Sequence, residues 1–135
     1  MKSLVIFHQL NFSFLGALTA NIIGAYDGFL KTLIIFIIID YLTGLMAAVV
    51  ERKMTSAIGF KGIFKKVVLL SLVAVGYLLD THVLKQDGLI RGVVIFFYLS
   101  NEGISILENA GRIGLPIPGK LKTILAQLNT EKKEK

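Results

Sequence analysis

The chain has 135 residues, 54% of them hydrophobic, a net charge of +6 and a mean hydropathy of +0.71. An average soluble chain is about 45–50% apolar, and a soluble domain of this size could not bury the excess. The basic residues flank apolar segments and the aromatic residues lie inside them, which favours membrane topology and anionic headgroups over nucleic acid. The chain has no cysteine and two histidines, which excludes disulfides and argues against a zinc site. We expect no metal, no cofactor and no nucleic-acid partner.

Three apolar segments are suited to crossing a membrane. Residues 32–50 would form about 28 Å of helix at 1.5 Å per residue, close to the roughly 30 Å hydrocarbon core of a bilayer. Residues 63–79 form a second segment if the lysines at its start reach the headgroups. Residues 89–107 form a third, which is apolar in its first half and mixed in its second. These segments predict an all-α membrane protein with a transmembrane core over residues 32–107.

Residues 1–31 leave the number of spans open. Residues 3–26 carry no formal charge apart from a protonated His8, but polar residues dilute their apolar character. They can form a fourth span or an amphipathic helix that lies in the membrane interface. A cleaved signal peptide is a weaker interpretation, because no convincing small-residue cleavage site precedes Asp27. We therefore expect three or four transmembrane helices.

Basic residues concentrate between the first two spans and at the C-terminus. We predict a basic loop over residues 51–66, with Gly59 and Gly62 in a turn or a loose interfacial stretch. The loop would determine topology and contact headgroups through Arg52, Lys53, Lys61, Lys65 and Lys66. The connection between the second and third spans carries only Lys85 and Arg91. The positive-inside rule therefore places the loop and the C-terminus in the cytoplasm.

The C-terminal residues, 108–135, are predicted to form a cytoplasmic tail. The segment 114–119 contains two prolines and two glycines, which break the preceding helix. Beyond it, apolar residues recur with helical spacing, which predicts an amphipathic helix over residues 120–129. The apolar residues are Leu121, Ile124, Leu125 and Leu128.

Asp40 is the only charged residue inside the first predicted span. An ionised carboxylate at the bilayer centre costs about 2.5–3.5 kcal/mol on insertion scales, so such a residue tends to face a partner or water. Asp40 could line a pore, contact another subunit or act as a protonation switch. Alternatively, it forms a structural hydrogen bond within the monomer, to Thr43 or Tyr77. Gly44 and Ala48 share its helix face and suit close helix packing.

A second polar cluster lies in the third predicted span. Asn101, Ser105 and Glu108 have the spacing of one helix face, and Glu102 lies beside them. Such a polar stripe could line water in an assembly. Alternatively, the membrane helix ends near Leu99, and the residues beyond it are solvated.

Catalytic motifs are not evident in the sequence. No residues have the spacing of a phosphate-binding loop, a zinc-protease helix or a Ser-His-Asp arrangement that we can justify. His82 lies two residues from Asp80, which is more typical of an ordinary loop than of acid–base chemistry. We therefore predict that the chain is not an enzyme.

Three stretches carry a family resemblance: DYLTGLMAA at 40–48, SAIGFKGIFKK at 56–66 and NEGISILENAGRIGLPIPGKL at 101–121. Together they resemble the toxin-secretion/phage-lysis holins of Gram-positive bacteria and their phages. The last stretch is the most specific, because its elements occur together and in order. The residues that match the family pattern are Asp40, Thr43, Gly44, Gly59, Gly62, Asn101, Glu102, Ser105, Glu108 and Asn109.

The resemblance implies a non-enzymatic, multi-pass protein of the bacterial host's cytoplasmic membrane. Such proteins form homo-oligomers and open lesions that release an endolysin, or in some relatives a large toxin, and so cause lysis. Two alternatives remain open. One is a subunit of a small ion channel or transporter that relays ions through the same carboxylates. The other is a small lipid-modifying membrane enzyme that uses Asn101 and Glu102.

Overall fold

The computed structural model describes residues 1–121 and residue 123, and this part of the chain contains helices and no strands. In chain order the helices are α1 (Lys2–Ile23), α2 (Gly28–Val50), α3 (Ser56–Leu78) with a π-helical extension (Leu79–Leu84), and α4 (Leu89–Ile113). All four are long and apolar enough to cross a membrane. The predicted all-α membrane fold is confirmed, with α1 as the candidate fourth span. The amphipathic helix predicted over 120–129 falls largely outside the described residues.

The predicted basic loop is wrong for most of its length, because residues 51–55 alone connect α2 to α3. The side chain of Thr55 caps α3 by accepting a hydrogen bond from the Ile58 N–H at 3.3 Å, which satisfies one of the free donors at a helix start. Three of the five basic residues assigned to the loop therefore belong to a helix: Lys61, Lys65 and Lys66.

The two glycines that suggested a turn have a different role. They lie inside α3, where the ring of Tyr41 from α2 packs against the helix. A Cβ atom on Gly62 would lie 3.0 Å from Tyr41 Cε2, and the Tyr41 hydroxyl donates to the Gly59 carbonyl at 3.4 Å. Glycine here permits a close approach between two helices, a use that lowers the helix propensity without ending the helix.

The other helix ends also differ from the predicted boundaries. α2 begins at Gly28 because Asp27 caps it, accepting from the Leu30 N–H at 2.9 Å. α4 begins where the third span was predicted but continues to Ile113, so the first residues of the predicted tail are helical. It ends at Gly114, whose φ of +104° is a left-handed conformation that favours glycine.

The core lies between α2, α3 and α4. α2 packs most extensively against α4, and α3 contacts both. The buried core side chains are Leu30, Leu33, Ile37, Leu69, Val73 and Ile95. Many large apolar side chains on the outer faces are exposed, including Ile38, Leu42, Phe96 and Phe97. An apolar surface of this extent is suited to lipid and unsuited to water.

Helix α1 stands apart from this three-helix bundle. None of its side chains is buried. It contacts α3, and the half-buried Ile23 at its end packs against the core. The side chains along the rest of the helix are exposed, and a Cβ atom on Gly16 would meet nothing within 4 Å.

Candidate functional site

Lys66 of α3 connects two carboxylates inside the bundle. Its ammonium group hydrogen bonds to Oδ2 of Asp40 on α2 and to Oε2 of Glu102 on α4. The three side chains are only 16%, 10% and 9% exposed, respectively. Each of the three core helices thus contributes one charge to a buried ion cluster, which we define as Asp40, Lys66 and Glu102.

The helical repeat places these charges on the buried faces. On α2, Asp40 follows Leu33 and Ile37 in steps of four and three residues, so it continues the apolar stripe that faces the core. On α3, Lys66 lies three residues before the buried Leu69, and on α4, Glu102 lies seven residues after the buried Ile95. The cluster therefore replaces one layer of the core with charge.

Asn109 extends the cluster toward the end of the bundle. Its Nδ2 donates to Asp40 Oδ1 at 3.1 Å, to the Asp40 carbonyl at 3.2 Å and to Thr43 Oγ1 at 3.1 Å. Its Oδ1 accepts from Arg112 Nη1 at 3.2 Å. Arg112 in turn donates to both carboxylate oxygens of Glu51, at 3.0 and 2.9 Å. A continuous polar chain therefore runs from the middle of α2 to its C-terminal cap.

Hydrogen bonding offsets the cost of these charges only while the three helices stay together. The cluster holds two carboxylates and one ammonium group, and among the described residues every buried side-chain nitrogen and oxygen has a partner. Removing one partner from a buried ion pair typically costs about 3–5 kcal/mol, because the remaining charge loses its compensation. The cluster is thus a contact that stabilises the association of α2, α3 and α4.

Two cavities border the cluster. A larger one, of about 890 Å³, opens between α3 and α4; its lining includes Phe60, Phe64, Tyr98, Asn101 and Ser105 together with the cluster itself. We call it the α3–α4 cleft. A smaller cavity of about 250 Å³ shares Asp40, Lys66 and Ser105 and is otherwise lined partly by Gly44, Lys53, Lys65, Asn109 and Arg112. The two cavities therefore have Asp40 and Lys66 of the cluster in common.

The residues of the predicted polar stripe of α4 lie in different surroundings in the structure. Asn101 and Ser105 line the α3–α4 cleft, and Glu102 is buried in the cluster. Glu108 is exposed and takes no part in it, whereas its neighbour Asn109 is buried and central. The buried face of α4 is therefore rotated slightly from the stripe that the spacing predicted.

The small residues on α2 pack against another helix of the same chain. Ala48 is 2% exposed, and a Cβ atom on Gly44 would lie 3.5 Å from Asn109 Nδ2. Together they let α4 approach closely enough for Asn109 to reach Asp40. Thr43 is one of the two hydrogen-bond partners suggested for Asp40, and Asn109 donates hydrogen bonds to both side chains. Tyr77, the other, lies against Gly24 at the opposite end of the bundle.

Among the basic residues of the predicted loop, Lys66 alone is held in the cluster. Lys53 and Lys65 line the smaller cavity, and Lys61 lines the α3–α4 cleft from an exposed position. Arg52 is exposed in the short link, with a φ of +56°. These exposed cations lie at one end of the bundle.

A second buried cluster, at the other end, was not predicted from the sequence. Arg91, on the first turn of α4, is 9% exposed. Its guanidinium donates to the carbonyls of Ile23 and Ala25, both at 2.7 Å, and to Asp27 Oδ2 at 2.8 Å. It thereby ties the α1–α2 link to the start of α4. The sequence around Arg91 does not indicate this contact, because each of its partners lies more than 60 residues before Arg91 in the chain.

Two carboxylates complete this end of the bundle. Asp80 accepts from the backbone N–H groups of Ile90 at 3.0 Å and Arg91 at 2.8 Å, and so caps α4. Partial burial opposes ionisation of Asp27, but hydrogen bonds from Leu30 and Arg91 outweigh it and lower the pKa of that carboxyl below its ordinary value. Asp80 is therefore a structural cap.

Comparison with known proteins identifies the family. Residues 17–130, most of the chain, match the bacteriophage holin family. The chain belongs to this family. A probable holin of Bacillus phage phi105 is 28% identical over 126 residues, which cover 93% of this chain and 92% of that protein.

Other relatives of the chain are more similar but less informative. An uncharacterized 14.9 kDa protein from the nagH 3′ region of Clostridium perfringens is 44% identical over 118 residues, covering 87% of this chain and 89% of that protein. An uncharacterized protein of Listeria monocytogenes is 43% identical over 110 residues, covering 82% and 78%. No solved structure matches. Family membership and the four apolar helices make this chain an integral membrane protein.

Proposed function

We propose that this holin accumulates in the cytoplasmic membrane of the bacterial host, assembles with copies of itself and forms lesions that release an endolysin and trigger lysis. The observation that carries the proposal is the bridge from Lys66 to Asp40 and Glu102 within an otherwise apolar bundle. A protein that only needed an anchor would gain nothing from three charges at this depth. A toxin is the alternative cargo.

The mechanism follows from what the cluster does in each state. In the closed monomer, the charges compensate one another between α2, α3 and α4. When copies crowd together and α3 separates from α4, the same groups can exchange their mutual contacts for water. Asn101 and Ser105 continue this polar surface along the cleft. An assembly in which the clefts face a common space would therefore enclose water.

Topology is also part of the proposal. The exposed cations of the α2–α3 link and of α3 lie at one end of the bundle, and the sequence after Leu107 carries six further Lys or Arg residues. The opposite end has Lys31 and Lys85, while Arg91 is paired with Asp27. The positive-inside rule then places the C-terminus in the cytoplasm, where the basic side chains contact anionic headgroups. Four spans would place the N-terminus there as well.

Induced expression with and without a co-expressed endolysin tests the proposed function. We expect membrane depolarisation and growth arrest in both strains, and lysis only in the strain with endolysin. Continued respiration after full membrane accumulation would contradict the proposal. Release of a folded reporter protein would separate a holin lesion from an ion-selective channel, and a lipid phosphorylation assay on purified protein would test for a lipid-modifying enzyme.

Variants of the cluster test the mechanism. In Asp40→Leu and Glu102→Leu, the polar surface that would face water is reduced, so we expect lysis to be delayed or lost at equal membrane levels. Ser100→Leu is the matched control, since the Ser100 hydroxyl is exposed and bonds only to the Phe96 carbonyl of its own helix. Lysis on the wild-type schedule in both cluster variants would refute the mechanism.

A further inference from the structure

One face of α1 combines polar and small residues. Gln9, Ser13, Gly16 and Ala20 recur at intervals of four, three and four residues, which places them within one narrow sector of the helix. We call this sector the polar–small face of α1. All four residues are exposed, and neither Gln9 nor Ser13 hydrogen bonds to another described residue through its side chain. In a bilayer, small residues allow close helix approach and polar side chains hydrogen bond across helices.

The α3–α4 cleft has the complementary character. Its walls include the aromatic rings of Phe60, Phe64 and Tyr98, and its polar lining includes Asn101 and Ser105. Its volume is about 890 Å³. A helix face that carries both small and polar residues fits such a lining, because it can pack closely against the rings and hydrogen bond beside them.

A hydrogen bond sets the relative depth of the two surfaces. Arg91 Nε donates to the Ile23 carbonyl at 2.7 Å, so these two residues lie at one level. Ser13 is ten residues before Ile23, and Asn101 is ten residues after Arg91. At 1.5 Å per residue, each lies about 15 Å below that level when both helices span the membrane. Gln9 and Ser105, each fourteen residues away, match in the same way at about 21 Å.

We propose that the polar–small face of α1 from one copy docks into the α3–α4 cleft of a neighbouring copy, with Ser13 beside Asn101 and Gln9 beside Ser105. A ring around an axis along the membrane normal keeps all copies at one depth, so the match repeats at every contact. None of the side chains of the chain's own α1 is buried, and a Cβ atom on Gly16 would meet nothing within 4 Å, so this face of α1 is available to a neighbour. This inference rests on the proposed function, because it assumes that α1 spans the membrane in an assembly.

Disulfide crosslinking in membranes tests the contact directly, because the natural chain has no cysteine. We expect Gln9→Cys/Ser105→Cys and Ser13→Cys/Asn101→Cys to form crosslinked dimers and higher ladders upon mild oxidation. Asn11→Cys/Ser105→Cys is the matched control, since Asn11 is polar, lies between Gln9 and Ser13 in depth and faces the opposite side of α1. The control should crosslink several-fold less.

A substitution on α1 provides a second measurement. A Cβ atom on Gly16 meets nothing within 4 Å in the monomer, so Gly16→Leu leaves the fold intact but fills the docking face. We expect it to reduce the intersubunit crosslinks several-fold. Gly92→Leu is the control, because Gly92 is also a helical glycine without neighbours and does not line the cleft.

The outcomes separate this inference from the proposed function. Crosslinks confined to monomers would place α1 in the cleft of its own chain and would overturn docking between copies. Equal crosslinking of the Asn11 control, or no crosslinks in either designed pair, would also overturn it. Endolysin-dependent lysis without these crosslinks would refute only the interface. Crosslinked ladders without lysis would refute only the proposed function.

Discussion

Asn109 on α4 donates from a single nitrogen to both the side chain and the backbone carbonyl of Asp40 on α2. The two residues are 69 positions apart, and the small side chains of α2 allow the approach. This contact holds the carboxylate whose other oxygen accepts from Lys66. Asn109 therefore positions the cluster without contributing charge to it.

We expect Asn109→Ala to destabilise the bundle by about 1–3 kcal/mol, the usual cost of leaving buried groups without hydrogen-bond partners. Unfolding of the purified protein in mixed detergent micelles measures the change. Ser71→Ala is the control, because the exposed Ser71 hydroxyl bonds only to the Val67 carbonyl of its own helix. An Asn109 variant as stable as the control would show that the contact is dispensable.

Lys66→Met should be more destabilising, by about 3–5 kcal/mol, because it leaves two buried carboxylates without their cation. Adding Asp40→Leu and Glu102→Leu to this variant should recover most of the lost stability, because no buried carboxylate is then left without a cation. Lysis should stay impaired, because the polar groups that would face water are missing. The same unfolding measurement applies, with the exposed Lys61→Met as the control. If the triple variant did not regain stability, uncompensated charge could not be the reason for the destabilisation by Lys66→Met.

Glycine at position 76 is required by close packing. A Cβ atom there would lie 3.1 Å from Arg91 Cα and 3.2 Å from Arg91 N, and Arg91 is fixed by its own hydrogen bonds. We expect Gly76→Ala to cost about 1–3 kcal/mol through overpacking. Gly92→Ala, in open surroundings, should instead stabilise α4 by about 0.5–1 kcal/mol. Changes of the same sign in thermal unfolding of both variants would be evidence against this explanation.

The contact between Glu51 and Arg112 predicts that the stability of the fold depends on pH. The hydrogen bond from Arg112 lowers the pKa of the Glu51 carboxyl below its ordinary value of 4.5. A lowered pKa means that the folded state favours the charged carboxylate, so the contribution is present above pH 4.5 and is lost as the pH falls below it. We expect a small drop in Tm over that range, since the pair is exposed, and a smaller drop in Glu51→Gln. Asp87→Asn, in the exposed loop at the other end, should behave like the wild type.

The proposed topology predicts opposite labelling of two single-cysteine variants. Gln86→Cys lies in the exposed connection before α4, and Met54→Cys lies in the α2–α3 link. A membrane-impermeant maleimide should label Gln86→Cys in intact cells before lysis and Met54→Cys only after permeabilisation. The reverse pattern would invert the topology. Labelling of Ser3→Cys then reports whether α1 adds a fourth span.

The sequence identifies site residues where a charged side chain stands in an apolar segment. It does not identify them where the contact depends on how distant helices pack. Asp40 and Glu102 could be identified because a carboxylate in an apolar helix is unusual. Their partner Lys66 was assigned to a loop, because nearby glycines suggested a turn and only the ring of Tyr41 explains them. The contacts of Arg91 could not be predicted, since nothing local indicates that its guanidinium reaches the carbonyls at the end of α1.

The order in which the chain is synthesised gives the ion cluster a further consequence. Asp40 and Lys66 leave the ribosome before Glu102 and Asn109, so α2 and α3 can enter the membrane as a pair with one negative and one positive charge. Insertion of α4 then adds the second carboxylate, Glu102, and the hydrogen bonds from Asn109 to Asp40. A chain truncated before α4 would therefore lack the contacts that hold the ion pair between three helices, and completion of the last helix gives each copy its full set of polar contacts.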